Sequence, residues 1–284
     1  MYVSMKEMLK KANQERYAVL AINCFNLETA KSVINAAEEM NSPIIVNLLE
    51  AHLKSYFGYQ YLVHPIKKMA ENSSVEVAIN LDHGQDVAYV KQCLHEGFSS
   101  VMIDASMYTL KENICITKKI VEYAESFNAS VEAEVGSLGS ADGEQWTDSA
   151  MMTNVQEAIQ FIEQTNIDCL AISYGSTHGD YPKGYVPEFD FNILREIKLA
   201  TNLPLVLHGG SGAGEENIKK SIELGINKIN VGSDFMKAQL KYLEREFQVS
   251  KPIDYPELIN GTVEAGTKII KYYIELVGSK NKSQ

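Results

Sequence analysis

"LPLVLHGGSGAGEENIKKSIELGINKINVGSD", residues 203–234, holds one complete structural repeat. Leu203, Leu205 and Leu207 recur with period two, and the run stops at His208 and two glycines, the pattern of a buried strand running into a turn. EENIKKSIELG, 215–225, spaces its apolar residues as a helix does and closes on a glycine. NKINVGSD, 227–234, alternates again. Strand, glycine-rich turn, helix and strand in about thirty residues make a βαβ unit, whose crossover leaves the two strands parallel.

Six similar runs lie upstream: YAVLAINC, SPIIVNLL, VEVAINLD, SSVMIDAS, ASVEAEVG and DCLAISYG. Together they make eight candidate strands. Amphipathic segments separate them, among them LETAKSVINAAEEM, VAYVKQCLHEGF, LKENICITKKIVEYAESF, NVQEAIQFIEQTN and FDFNILREIKLATN. SDFMKAQLKYLEREF supplies an eighth helix, and a helical extension follows near 256–277. Eight strand–helix repeats close a (β/α)8 barrel, so one TIM-barrel unit over residues 1–284 with a C-terminal helical extension is expected. An open, doubly wound sheet is disfavoured. No GxGxxG follows the first strand, and polar residues end many strands rather than gathering at one switch point.

Composition agrees with a water-soluble α/β chain, with 45% hydrophobic and 22% charged residues. No run approaches the roughly 18 apolar residues of a membrane span, and the start has no secretory core, so a cytoplasmic location is expected and no membrane partner. A formal net charge of −11 argues against nucleic acid, which is held by clustered Lys and Arg. A small anion is still admissible, because backbone N–H groups at a helix N-terminus bind phosphate whatever the global charge. Cys24, Cys93, Cys115 and Cys169 form no CxxC pair and read as reduced, buried thiols.

Strand parity sorts the polar residues. Val75, Val77, Ile79 and Leu81 share the outer face, which turns Asp82 inward. The same alternation turns Asp104 inward beyond Ile103, Glu132 and Glu134 inward between Val131, Ala133 and Val135, and His208 inward after Val206. His178 follows the sixth strand. His83 has the opposite parity to Asp82, but strand geometry need not hold at a turn. Singly, each histidine reads as a core residue bonded to a backbone carbonyl. Jointly, three of the six histidines end strands beside glycines and inward carboxylates, and His83, Asp104, Glu134, His178 and His208 are metal ligands by type. His52, His64 and His95 fall in helical or connecting segments and keep the structural reading, as does Glu132, a hydrogen-bond partner within the barrel. HGGSGAG, 208–214, and NVGSD, 230–234, follow the seventh and eighth strands, where such barrels commonly bind phosphate.

LDHG, VMIDAS, SVEAEVG, GSTHG, PLVLHGGSG and KINVGS, in this order, resemble the class II, metal-dependent ketose-bisphosphate aldolases over nearly the whole chain. The resemblance implies Zn2+ on His83, His178 and His208, with Asp104 and Glu134 offering a second or alternative position for a divalent or monovalent cation. It implies Asp82 as the catalytic acid/base. It also implies that dihydroxyacetone phosphate is held by Gly179, by Gly209, Gly210 and Ser211, and by Asn230, Val231, Gly232 and Ser233, with Asn23 touching substrate. A homodimer or homotetramer is expected on the same ground. The chemistry is consistent, since three imidazoles leave a zinc ion open positions for substrate oxygens, and a neighbouring carboxylate can take the carbinol proton.

Two regions depart from the family. The loop after VEAEVG reads SLGSADGEQWTD, so the second acid is Asp142, at the family's glutamate position, or Glu144 two residues on. Ser140 replaces a usual glycine. Leu49 stands where a serine or threonine is usual, and Pro256 lies near the place of an arginine. Losing a hydroxyl and a guanidinium weakens an anion site, although Lys251 or a partner subunit can compensate. The expected activity is cleavage of a ketose 1-phosphate or a ketose 1,6-bisphosphate to dihydroxyacetone phosphate and an aldehyde. The ordinary fructose or tagatose 1,6-bisphosphate reaction is one alternative, and a non-catalytic sugar-phosphate-binding homologue another. A barrel metallohydrolase typically carries an HxH pair on its first strand, which LAINCF lacks.

Overall fold

The computed structural model describes residues 1–136, 152–177, 179, 181, 185–248, 252 and 254–284. Its strands are β1 (Val19–Asn23), β2 (Ile44–Leu49), β3 (Val77–Gly84), β4 (Ser100–Ile103), β5 (Ser130–Val135), β6 (Cys169–Ile172), β7 (Leu205–Leu207) and β8 (Ile226–Val231). They form a closed barrel in sequence order, every neighbouring pair parallel, with β8 returning to β1. All eight runs expected from the sequence are strands. A parallel sheet needs helical crossovers, and closure removes the unpaired edges an open sheet would expose.

The helices are α1 (Met5–Glu15), α2 (Leu27–Met40), α3 (Glu50–Ser55), α4 (Tyr59–Asn72), α5 (Val87–His95), α6 (Leu110–Glu125), α7 (Val155–Thr165), α8 (Phe191–Thr201), α9 (Glu215–Leu224), α10 (Ser233–Gln248) and α11 (Tyr255–Leu276). Several begin where a side chain caps the free N–H groups of the first turn. Asn26 and Thr109 form capping boxes at α2 and α6. The extension α11 packs on α2 and α10. No described helix is long and apolar enough to cross a membrane.

Two cores result from strand alternation. Val77, Ile79, Leu81, Val101, Ile103, Leu205 and Leu207 face outward into the layer shared with the helices. Val19, Ala21, Ile45, Ala78, Met102, Cys169, Ala171 and Val206 fill the interior together with Met5, Met8, Leu9 and Ala12 of α1. The start of the chain is tied to the strand beginnings, with Val3 N–H donating to the Val77 carbonyl and Met5 N–H to Ser100 Oγ. Helix α1 therefore seals the N-terminal end of the barrel. All four cysteines are free thiols, but Cys115 is exposed on α6, because its helical phase turns it away from the sheet.

Two irregularities break the alternation. Pairing of β3 with β4 shifts between Leu81 and Gly84. Pairing of β7 with β8 matches Leu205 to Ile226 but Val206 to Lys228, so Asn227 is an extra residue in β8. Such a bulge reverses the faces of everything beyond it.

Candidate active site

At the C-terminal end of β3, Asp82 points inward as its parity requires and is buried. His83 has φ +48°, a left-handed conformation costing a non-glycine residue about 1 kcal/mol. That turn and the shifted register undo the alternation, so two successive side chains serve the same mouth. Gly84 makes it possible. A Cβ there would lie 2.5 Å from the Met102 carbonyl oxygen.

Both Asp82 oxygens are held. Asn23 Nδ2 donates to Oδ2 at 2.7 Å and Asn230 Nδ2 to Oδ1 at 3.1 Å. Burial pushes this carboxyl up, but His83, His208 and Lys228 outweigh it and keep its pKa below the usual value. His83 Nδ1 lies 2.9 Å from Asp104 Oδ2, and Asp104 Oδ1 accepts from Ser106 Oγ at 2.7 Å. Burial raises the Asp104 pKa, and the bonds to His83 and Ser106 overcome that and hold it well below the carboxylate range. For His83, burial works against the charged ring, yet Asp82, Asp104 and Glu134 raise its pKa to about 10. His208 Nε2 lies 2.9 Å from Glu132 Oε1, and its Nδ1 is 3.7 Å from Glu134 Oε2. The two imidazoles meet edge to face, with ring centroids 4.7 Å apart.

These donors fit a divalent metal. Asp82, His83 and His208 each offer a ligand atom within 4.8 Å of the others, and so do His83, Asp104 and Glu134. Each histidine sets one ring nitrogen against a carboxylate, the arrangement that orients metal-binding imidazoles. A site that raises an imidazole pKa this far is one that attracts positive charge.

A cleft of about 270 Å³ opens above, lined by Asn23, Asp82, His83, Gly179, Gly209, Ser211, Asn230, Gly232 and Ser233 on the side expected to bind substrate. Ser211 Oγ accepts from the N–H groups of Gly232 and Asp234, each at 3.2 Å, which locks the loop after β7 onto the start of α10. Gly209 has φ +67°, and a Cβ would collide with the Thr177 carbonyl. Gly210 and Val231 stand behind the wall: Gly210 N–H bonds the Asn230 carbonyl, and the Val231 side chain packs in the outer core. His178, Asp142, Glu144, Ser140 and Lys251 lie outside the described residues.

The remaining wall is Leu49, His52 and Met236. No Lys or Arg is among the described lining residues. His52 therefore departs from its structural reading, while His64 pairs with Glu96 and His95 with the Tyr123 hydroxyl. The sequence puts His52 in a helical or connecting segment and not at the mouth, because α3, which carries it, is a short helix inside the β2–β3 connection. Lys228, fully buried in the barrel, also escaped; its signal was a lysine alternating with Ile229 and Val231 inside a buried strand. Pro256 is exposed at the first turn of α11 and is not among the residues that line the cleft.

A closed parallel barrel whose strand ends carry a buried carboxylate, carboxylate-backed imidazoles and a glycine-rich anion loop defines a class of metal-assisted barrel enzymes. Within that class, the chain belongs to the class-II fructose-bisphosphate aldolase family, whose model, "Fructose-bisphosphate aldolase class-II", matches residues 3–282. It is an aldolase, a carbon–carbon lyase, in a family that generally depends on a divalent metal. It is 37% identical over 285 residues to a fructose-bisphosphate aldolase of Staphylococcus aureus (strain Mu50 / ATCC 700699), covering 99% of both chains. It is 40% identical over 256 residues to one of Geobacillus stearothermophilus, covering 88% of each. Among solved structures, the YdjI aldolase of Escherichia coli K12 superposes with a TM-score of 0.89 at 29% identity, covering 100% of both chains.

Proposed function

We propose that the protein reversibly cleaves a ketose 1-phosphate or ketose 1,6-bisphosphate to dihydroxyacetone phosphate and an aldehyde, with zinc as the metal. The observation that carries this is Asp82, buried, gripped on both oxygens by amides, and grouped with His83 and His208 within 4.8 Å. His83, His208 and His178, with Asp104 and Glu134 as a second or alternative position, would hold the metal, which when bound would supply a Lewis acid for the ketone oxygen.

Asp82 takes the proton of the C4 hydroxyl as the C3–C4 bond breaks, the bonding pair moving toward the C2 carbonyl. Its pKa below the usual value suits the accepting role, and the asparagines fix its direction. Asp142 or Glu144 delivers the proton to C3. Backbone N–H groups of Gly179, Gly209, Ser211 and Ser233, with the N-terminus of α10, bind the C1 phosphate, with no cationic side chain among the described lining residues.

The aldehyde half faces Leu49, His52 and Met236, which favours an uncharged tail and hence a ketose 1-phosphate. The names of the S. aureus and G. stearothermophilus relatives favour a second reading, fructose 1,6-bisphosphate. A cytoplasmic homodimer or homotetramer belongs to the same proposal. A cleavage screen over hexose and pentulose 1-phosphates and 1,6-bisphosphates, reading dihydroxyacetone phosphate with and without a chelator, tests it. Preference for a 1-phosphate supports the first reading; equal efficiency on every substrate overturns it. Cleavage insensitive to the chelator removes the metal from the mechanism.

A further inference from the structure

A buried chain of hydrogen bonds joins the carboxylate to one of the histidines through the floor of the site. Asp82 Oδ1 accepts from Asn230 Nδ2 at 3.1 Å, and Asn230 Oδ1 accepts from Lys228 Nζ at 2.7 Å. Lys228 Nζ lies 2.8 Å from Glu132 Oε2, and Glu132 Oε1 is 2.9 Å from His208 Nε2. Lys228, Glu132 and His208 are wholly inaccessible. We propose that Lys228 is a positioning residue that sets both ends of this chain, orienting the Asn230 amide toward Asp82 and the His208 ring toward the metal. This rests on the roles given above to Asp82 and His208.

Donors and acceptors fix both ends. An ammonium has three N–H donors and no acceptor. Facing it, the Asn230 side chain must present its carbonyl, which commits the NH2 group to Asp82. Without the lysine, the amide is free to turn and offer Asp82 an oxygen, a repulsive contact. On the other side, a Glu132 carboxylate paired with the ammonium is an acceptor only. It therefore requires His208 Nε2 to carry the proton, which places the lone pair on Nδ1, the nitrogen that faces Glu134. One cation fixes an amide and a tautomer. Alternation with Ile229 and Val231 turns Lys228 inward, and the bulge at Asn227 allows this although Ile226, two residues before it, faces out.

The test is Lys228→Met in the full-length protein, which keeps length and removes all donors. At saturating zinc, kcat is expected to fall about 30-fold or more with KM within about twofold, because Asp82 handles the proton and does not anchor the phosphate. Zinc affinity of the chelator-treated variant should fall about tenfold. A folded variant in which only one of these moves breaks the coupling, and one in which neither moves overturns the role. Should Lys228→Met not fold, Lys228→Met/Glu132→Gln removes both buried charges, a replacement proteins often tolerate. Its kcat should stay at least tenfold down, and wild-type kcat in that double variant overturns the proposal. If the wild-type protein cleaves no ketose phosphate, the functional reading fails, and the zinc titration alone then decides whether Lys228 sets His208.

Discussion

The two ends of the barrel are built from the same eight strands and share almost no chemistry. At the N-terminal end, α1 presses Met5, Met8, Leu9 and Ala12 against Val19, Ala21, Ile45 and Ala78, an apolar plug on β1, β2 and β3, which alternate regularly there. At the other end, Asp82, His83, Asp104, Glu134, His208 and Asn230 crowd polar groups into the mouth, and there a left-handed His83 is found. Regular alternation makes the plug. Departures from it make the site, because two adjacent residues can face one cavity only where the backbone leaves the strand pattern.

The sharpest way to break this comparison is at Asp82. Replacing it with alanine should lower kcat by about 10³- to 10⁴-fold while zinc content stays unchanged; metal analysis beside a cleavage assay checks it, and unimpaired cleavage removes Asp82 from the mechanism. At the opposite end, Met8→Ala should cost about 2–4 kcal/mol of stability by leaving a cavity in the plug. Its kcat at 25 °C should be unaltered, and denaturant unfolding with parallel kinetics would show otherwise if the ends were not separable.

Much of that division was legible in the sequence. All eight strands and the inward parity of Asp82, Glu132, Glu134 and His208 followed from period-two alternation, because a buried strand has no other way to satisfy two environments. What escaped was non-periodic. The bulge at Asn227 depends on the register of β7 with β8, which no local pattern encodes, although Lys228 itself shares the parity of Asn230 against Ile229 and Val231. His52 reached the mouth on α3, a helix of 6 residues at the start of the β2–β3 connection, too short to give a periodic signal.

A third test concerns the cation. His83, with its pKa near 10 in the metal-free protein, carries a proton at neutral pH that a metal on that ring must displace. Zinc affinity of chelator-treated protein should therefore rise as pH rises, by about tenfold per unit between pH 7 and 9; a flat affinity in a competition titration excludes His83 from the ligand set. The smallest effect is expected at Leu49. Leu49→Ser restores a hydroxyl to the distal wall and should shift kcat/KM toward 1,6-bisphosphates by a few-fold, worth about 1 kcal/mol. No change in that ratio would mean the distal group is read elsewhere.

The extra residue in β8 also bears on how this barrel tolerates changes of length. Asn227 acts as a phase step: upstream of it the count of residues puts Ile226 outside, and downstream the reset count puts Lys228 and Asn230 inside. Deleting Asn227 itself would leave a regular strand, Ile226 outward, Lys228 inward and Ile229 outward, with every face kept, whereas deleting Ile229 would turn Asn230 away from Asp82 and Val231 into the mouth. In this strand, then, the number of residues carries information that their identities do not, and a scan of substitutions alone would never reveal it.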